Sequence, residues 1–215
     1  MIDVTKYVPT VERGVGERTV DATEARTVTL SRVYDTSVED LWEACTDAER
    51  IARWFAPVSG ELRLGGRYQV EGNAGGTVTA CDPPHAFDAT WEFGGGTSWI
   101  EVRVHPEPDG RARLELVHIA EVGEDIWEQF GPGAVGIGWD LGLMGLHLHL
   151  SSGEPVDREA VEAWGSSEEG VAFMTASNDG WCDAFVAAGA DPADARARAD
   201  RTIAFYTGAE GHPDH

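Results

Sequence analysis

The side chains most capable of chemistry in this sequence are large aromatic residues that stand in or beside apolar segments. Five of them form the candidate set, namely Trp54, Phe55, Tyr68, Trp91 and Trp139, and strand alternation points Trp91 inward. Ligand sites in proteins are mostly apolar, with a few well-placed polar groups. These aromatic residues are therefore compatible with two interpretations, plain core packing or the wall of a pocket.

Two histidines are the candidate polar members of such a pocket. His118 alternates with Leu114 and Leu116 on one strand face, where it is either a hydrogen-bonded core residue or a ligand contact. His147 and Asp140 lie seven residues apart on a predicted helix, about 10 Å along its axis, so they form no direct dyad. His147 and His149 are two residues apart and point to different helix faces. We therefore predict no metal site.

The sequence contains no motif that indicates a particular reaction. There is no phosphate-binding loop, nucleophile elbow, zinc signature or dinucleotide fingerprint, and we predict no cofactor. The three cysteines, Cys45, Cys81 and Cys182, are odd in number and widely spaced, which indicates reduced thiols rather than a disulfide framework. With no apolar leader at the N-terminus, the sequence predicts a cytoplasmic protein.

Charge argues against two classes of partner. The chain of 215 residues carries 38 acidic against 16 basic residues, a net charge of −22. Nucleic-acid binding draws on lysine and arginine contacts to phosphates, and anionic membrane surfaces attract basic segments. We therefore expect neither nucleic acid nor a membrane as a partner.

The segment 131–150, GPGAVGIGWDLGLMGLHLHL, predicts a central helix. Its apolar residues recur at helical spacing and also cover much of the remaining wheel, so neighbours must cover the helix on nearly all sides. The length approaches that of a membrane span, but Asp140 and two histidines would be costly in a bilayer. We expect a sheet on one face of this helix and other helices on the other.

Before that helix, the apolar pattern has a period of two. After a strand at 26–34, Ser37 and Asp47 are predicted to cap two helices, at 38–47 and 48–55. Strand-like alternation then covers 62–64, 68–70, 77–81, 87–93, 100–104 and 114–118. A run of about five hairpin-connected strands after short helices predicts an α+β fold with an antiparallel sheet.

The chain ends are expected to differ from this middle part. Residues 1–25 are interpreted as an N-terminal arm that pairs at a sheet edge or stays loose, 26–152 as the main domain, 153–208 as a helical extension packed on it, and 209–215 as a flexible tail. In the extension, Ser166 and Glu169 fit a capping box, and Asn178 and Gly180 are expected to interrupt the helix. Asp191 and Pro192 open a last helix, which ends at Gly208.

Several motifs in this order resemble one known family. VYDTSVEDLWEACTDAERIARWFAP (33–57), LRLGGRY (62–68), VTACDPPHAFDATWEF (78–93), LELVH (114–118) and GWDLGLMGL (138–146) are similar to heat-shock-protein-90 ATPase activator-like proteins of the START-like superfamily. The resemblance implies a helix-grip fold, in which a curved antiparallel sheet wraps the long helix and leaves a cavity for a hydrophobic ligand. It also implies that Trp54 and Phe55 belong to the segment that closes the cavity mouth.

The resulting hypothesis is a protein that binds a small hydrophobic or aromatic molecule between sheet and helix. The predicted ligand-binding residues are Trp54, Phe55, Tyr68, Trp91, His118, Trp139, Leu143 and His147. Two alternatives stay open, a cyclase- or aromatase-type enzyme using His118 and Tyr68, and a chaperone-regulating interaction module. The sequence does not decide whether a reaction is catalysed or whether the protein is a homodimer.

Overall fold

The computed structural model describes residues 3–121 and 124–208, in which eight strands form one antiparallel sheet. The strands are β1 Glu12–Val20, β2 Thr23–Tyr34, β3 Val58–Gly60, β4 Arg67–Val70, β5 Gly75–Asp82, β6 Ala86–Phe93, β7 Gly96–Pro106 and β8 Ala112–Glu121. The helices are α1 Val4–Tyr7, α2 Val38–Thr46, α3 Ala48–Ile51, α4 Glu124–Phe130, α5 Gly133–Ser152, α6 Arg158–Gly165, α7 Glu168–Ala187 and α8 Pro192–Thr207. The predicted α+β helix-grip fold is confirmed.

The sheet runs in the order β1-β2-β8-β7-β6-β5-β4-β3, so the long strands β2 and β8 bring the two ends of the domain together. The N-terminal residues extend it, because β1 pairs along its length with β2, from Glu12 opposite Ser31 to Val20 opposite Thr23. Asp21 and Ala22 turn this hairpin with positive φ angles, as a two-residue hairpin loop requires. Of the two outcomes expected for the arm, residues 12–20 adopt the one paired at the sheet edge.

Both predicted caps in the α2–α3 region are present. The Ser37 side chain accepts a hydrogen bond from the Asp40 N–H, and the Asp47 side chain accepts one from the Arg50 N–H. The second helix is shorter than the predicted 48–55 and ends at Ile51. The N–H groups of Arg53 and Trp54 bond to carbonyls three residues back, at 3.0 and 3.2 Å, so the chain tightens into turns there.

The predicted strand at 62–64 is wrong. Residues 61–66 form a loop in which Leu62 and Leu64 are 37% and 60% exposed. The loop is fastened to β5 by hydrogen bonds from Gly65 N–H to Val78 O and from Val78 N–H to Gly66 O. Gly65 has a φ of +75°, which turns the backbone out of the extended path that the apolar alternation had indicated.

The central helix α5 has the sheet on one side and α7 on the other. Pro132 is its N-cap, and Gly153 ends it in a left-handed conformation. The helix buries residues on several faces, from Ile137 and Asp140 to Leu146 and His149. The expected coverage on both sides is therefore present.

The prediction that Asn178 and Gly180 interrupt a helix is wrong, because α7 is continuous over Glu168–Ala187. Asn178 donates to the carbonyl of Ala199 on α8 at 2.8 Å, and Gly180 leaves space for the side chain of Arg13. Asn178 thus joins α7 to α8, and Gly180 makes room for a side chain of β1. The cap of α7 is Ser167, one residue after the predicted Ser166.

The last helix begins and ends where the sequence predicts, with Asp191 accepting hydrogen bonds from the N–H groups of Ala193 and Asp194, and Gly208 as C-cap. The expected tail 209–215 lies outside the described residues. Helices α4 and α6 were not predicted individually.

Candidate ligand cavity

A cavity of about 280 Å³ lies between the inner face of β4–β8 and α5. Helix α2 and the segment 51–58 form its remaining wall. The lining residues are Trp42, Cys45, Thr46, Ile51, Trp54, Phe55, Val58, Leu62, Tyr68, Val70, Val78, Cys81, Pro83, Phe87, Ala89, Trp91, Ile100, Val102, Leu114, Leu116, Trp139, Gly142 and Leu143. None of these is Asp, Glu, Lys, Arg or His, so the wall is apolar and uncharged.

One end of the cavity is built from aromatic rings arranged around Trp139. Phe55 stacks on Trp139 with ring centroids 6.3 Å apart and an interplanar angle of 13°. Trp91 approaches the same indole at 5.0 Å, and Trp54 lies 5.5 Å from Phe55. Three separate parts of the chain, the 51–58 segment, β6 and α5, therefore contribute rings to one wall.

The other end contains Trp42 of α2 against Phe87 of β6, with ring centroids 6.1 Å apart. Cys81 pairs with Phe87 across the β5–β6 hairpin. Cys81 and Pro83 are exposed although they line the cavity, as is Leu62. The mouth therefore lies beside the β5–β6 turn, and the Trp91–Trp139 end lies away from that turn.

Gly145 of α5 lets the 51–58 segment approach the helix closely. A Cβ on Gly145 would lie 2.5 Å from the carbonyl oxygen of Trp54, so no larger residue fits there without a backbone shift. At Gly142 the nearest atoms are those of the Phe55 ring, at 3.7 and 3.8 Å, an ordinary contact distance. Gly145 thus lets Trp54 lie against the helix.

His118 lies directly behind this wall. The indole Nε1 of Trp139 donates a hydrogen bond to His118 Nδ1 at 3.0 Å. Burial lowers the pKa of His118 from 6.5 to about 4. The imidazole is therefore neutral near pH 7, and its lone pair on Nδ1 holds the Trp139 ring in place.

The Tyr68 hydroxyl and the Cys45 thiol of the wall are also held in their neutral forms. The Tyr68 hydroxyl donates to the carbonyl of Thr90 at 2.6 Å, and burial raises the pKa of Tyr68 to about 12. Burial likewise raises the pKa of the Cys45 thiol to about 12, which suppresses the reactive thiolate.

Six of the eight predicted site residues line the cavity, namely Trp54, Phe55, Tyr68, Trp91, Trp139 and Leu143. His118 contacts the wall from behind. His147 lies outside the lining, because the N-terminal segment covers that part of α5 and Tyr7 packs 5.4 Å from the imidazole. Trp42 and Phe87 were missed as site residues. For Phe87 a signal was present, because Phe87 and Trp91 are four residues apart and so share one strand face.

The side of α5 that faces away from the cavity carries a buried ion pair. Asp140 is fully buried and accepts hydrogen bonds from Arg13 Nε at 3.0 Å and Nη2 at 2.8 Å. Ser177 Oγ and Trp181 Nε1 on α7 donate to the same carboxylate at 2.6 and 2.9 Å. This cluster joins the N-terminal strand, α5 and the extension.

A second depression, of about 310 Å³, lies beside the C-terminal half of α5 and α6. Its wall includes Met144, Leu148 and Trp164, but Glu154 and Asp157 also contribute, and much of its rim is exposed. It is a surface groove, unlike the uncharged cavity beneath the sheet.

Among the described residues, no group of three or more His, Cys, Asp or Glu side chains could hold a metal ion. None of the helices in residues 3–121 and 124–208 combines the length and apolar character that a membrane crossing requires.

A curved antiparallel sheet gripping a long helix, with an apolar cavity between them, defines the helix-grip class of ligand-binding folds. Residues 35–150 match the family model described as Activator of Hsp90 ATPase homolog 1-like protein. The chain belongs to this family, a branch of the START-like superfamily. No curated protein sequence matches the chain.

Among solved structures, the chain is similar to CalU16 from Micromonospora echinospora, at 31% identity. The crystal structure of CalU16 has a TM-score of 0.65 and covers 81% of this chain and 97% of that protein. Its solution structure gives a TM-score of 0.69, with 83% and 97% covered. The CalU16 match therefore extends beyond the residues of the family model.

Two further structures share the fold alone. DynU16, a protein of the dynemicin biosynthetic locus, is 21% identical with a TM-score of 0.53, and the match covers 60% of this chain and 48% of that one. PFC0360w, an HSP90 activator from Plasmodium falciparum, is 20% identical with a TM-score of 0.50, and the match covers 60% and 97%.

Proposed function

We propose that this protein binds a small, flat, uncharged aromatic molecule in the cavity between the sheet and α5. The observation that carries the proposal is the composition of the wall, which combines the clustered Phe55, Trp91 and Trp139 rings with aliphatic residues and contains no Asp, Glu, Lys, Arg or His. Burying a charged ligand there would leave its charge without a partner. An aromatic ligand instead gains dispersion and stacking contacts with the rings.

The same observations favour binding over an acid–base reaction. The two candidate catalytic groups are His118 and Tyr68. His118 does not line the cavity and its Nδ1 accepts the Trp139 indole N–H, while the Tyr68 hydroxyl donates to a backbone carbonyl. A general acid or base must reach the proton it transfers, and neither group is free to do so.

A cytoplasmic location accompanies this proposal. Cys45, Cys81 and Cys182 are all free thiols, which suits a reducing compartment. The net charge of −22 supports a small-molecule partner over nucleic acid.

The first test is native mass spectrometry of freshly purified protein, followed by denaturation to release any bound molecule. A stoichiometric aromatic compound is the expected result, and the same spectrum reports the oligomeric state. A bound ion or a strongly charged metabolite in its place would contradict the proposal.

The second test is a titration with N-phenyl-1-naphthylamine, a neutral aromatic fluorophore. Wild-type protein should bind one molecule, and Trp139→Leu should bind it about tenfold more weakly, because the stacked wall is lost. The matched control is Trp127→Leu, which removes an indole that packs on Phe185, away from the cavity. Equal affinities for both variants and the wild type would place the probe elsewhere.

A further inference from the structure

Some hydrogen-bond donors of the cavity wall already have a partner in the protein and others do not, and this difference selects among aromatic ligands. Four indoles line the cavity. Trp54 Nε1 donates to the carbonyl of Ala44 at 2.9 Å and Trp139 Nε1 donates to His118 at 3.0 Å. Trp42 and Trp91 donate to no residue in the part of the chain that the structure describes. Neither of their N–H groups is among the buried side-chain atoms without a partner, so both remain accessible.

The hydroxyl groups of the wall do not offer matching free donors. Thr46 donates to the carbonyl of Trp42 at 2.7 Å, and Tyr68 donates to the carbonyl of Thr90 at 2.6 Å. An indole N–H is a donor only, and the lining contains no carboxylate that could receive a proton donor from the ligand. The two free indole N–H groups therefore call for an acceptor atom on the ligand.

The two free indoles lie at opposite ends of the cavity. Trp42 packs on Phe87, near the mouth. Phe87 and Trp91 are four residues apart on one face of β6, a separation of roughly 13 Å along the strand. Trp91 stands beside the Trp139 wall, with ring centroids 5.0 Å apart, so a ligand stacked on that wall contacts the Trp91 indole.

We propose that the natural ligand is an aromatic ketone or quinone, and that its carbonyl oxygen accepts a hydrogen bond from Trp91 Nε1. This assignment rests on the proposed binding function and narrows the ligand class. A hydrocarbon of the same shape would displace water from the indole N–H and leave that donor without a hydrogen bond. A carbonyl oxygen would replace the hydrogen bond to water. Sites in which the bound ligand covers a hydrogen-bond donor discriminate in this way against analogues that lack the acceptor.

The test compares 9-fluorenone with fluorene, two flat tricyclic molecules that differ chiefly in one carbonyl group. Binding is measured by quenching of the protein's tryptophan fluorescence. Wild-type protein should bind fluorenone about fivefold more tightly, the effect of one neutral hydrogen bond. Trp91→Phe, which keeps a ring and removes the N–H, should bring the two affinities together. Trp42→Phe is the matched control and should keep the preference.

Equal binding of the two compounds by wild-type protein would overturn the assignment, as would a preference that survives in Trp91→Phe or disappears only in Trp42→Phe. Binding of neither compound would count against the binding function itself. The infrared carbonyl band of fluorenone bound to wild-type protein is a readout that needs no variant. It should lie at lower frequency than in cyclohexane, and an unshifted band would also overturn the assignment.

Discussion

Two adjacent residues of α5, Trp139 and Asp140, lie on opposite sides of the helix and have very different surroundings. On the sheet side, Trp139 borders a cavity of about 280 Å³ with no charged group in its wall. On the extension side, Asp140 is fully buried and receives four hydrogen bonds from Arg13, Ser177 and Trp181. One side leaves space for another molecule, and the other is filled by the chain itself.

The difference between the two sides explains how α5 can border a cavity and still keep a fixed rotation about its own axis. A cavity wall has fewer contacts to hold it than a packed core. The Arg13–Asp140 cluster supplies directional contacts from β1 and α7, and these fix the rotation of α5 about its axis. Arg13 and α7 lie outside residues 35–150, so the segments flanking the family's common part hold the helix that the cavity depends on.

The largest loss of stability is expected when the buried ion pair between Arg13 and Asp140 is removed. Asp140→Asn leaves the Arg13 guanidinium buried without its charge partner, and the free energy of unfolding should fall by about 3–5 kcal/mol. Urea unfolding followed by far-ultraviolet circular dichroism measures this. The control is Asp179→Asn, which removes a half-exposed pair with Arg196 and should cost less than about 1 kcal/mol. Equal losses would show that the buried pair does not hold the helix.

The two sides should also differ in their response to a single methyl group. A Cβ on Gly136 would lie 2.2 Å from the ring of the fully buried Trp181, so Gly136→Ala should destabilise the protein by about 1–3 kcal/mol. Gly142→Ala meets Phe55 at 3.7 Å and should stabilise by up to about 1 kcal/mol through helix propensity. Thermal and urea unfolding of the pair provide the comparison. A more stable Gly136→Ala protein would contradict the close packing on that side.

Low pH should destabilise the protein through His118, on the cavity side of α5. Burial lowers the pKa of His118 from 6.5 to about 4. Between these values the unfolded chain binds a proton at His118 and the folded chain does not, so stability is complete above pH 6.5 and falls as the pH falls. His118→Asn keeps an acceptor near the Trp139 indole and does not titrate. Between pH 7 and pH 5, the free energy of unfolding of this variant should fall by up to about 2 kcal/mol less than that of the wild type.

Urea unfolding of wild type and His118→Asn at the two pH values measures that difference. The pKa of His147 is also lowered to about 4, by burial and then by Arg32, so His147 contributes in the same direction in both proteins and cancels in the comparison. The same pH dependence in wild type and variant would mean that His118 is not the buried neutral base described above.

The smallest effect on stability is expected where a side chain grows into the cavity. Ala89 lines the cavity and is 2% exposed, and Ala89→Leu should weaken N-phenyl-1-naphthylamine binding about tenfold by taking up ligand space. The counterpart is Ala195→Leu on α8, which overfills a packed contact and should cost about 1–3 kcal/mol without changing probe affinity. Unaltered binding by Ala89→Leu would move the probe site away from this cavity.

Much of the fold follows from periodicity and caps. Ser37, Asp47 and Asp191 begin helices because their short side chains accept hydrogen bonds from free backbone N–H groups, a local effect that one sequence can reveal. The alternation from Phe87 to Trp91 fixes one face of β6 toward the helix. The apolar circumference of α5 required cover on several sides, and the sheet and α7 provide it.

The errors arose where a distant contact outweighs local preference. Leu62 and Leu64 alternate like a strand, but the hydrogen bonds of the loop go to Val78 of β5 and leave both leucines exposed. Asn178 and Gly180 are weak helix formers, but contacts with Ala199 and Arg13 stabilise the uninterrupted helix. Such contacts join residues far apart in sequence, so no local pattern announces them.

The sequence by itself determined the α+β class and the inward face of Trp91, because side-chain periodicity assigns each residue to a face before any tertiary contact exists. The family resemblance added the helix-grip fold and the roles of Trp54 and Phe55. Only the tertiary structure decided that His118 holds Trp139 from behind, that His147 meets Tyr7 instead of the cavity, and that Arg13 reaches Asp140. These are pairings across the fold. Their partners are chosen by three-dimensional packing, which the linear spacing of the residues does not encode.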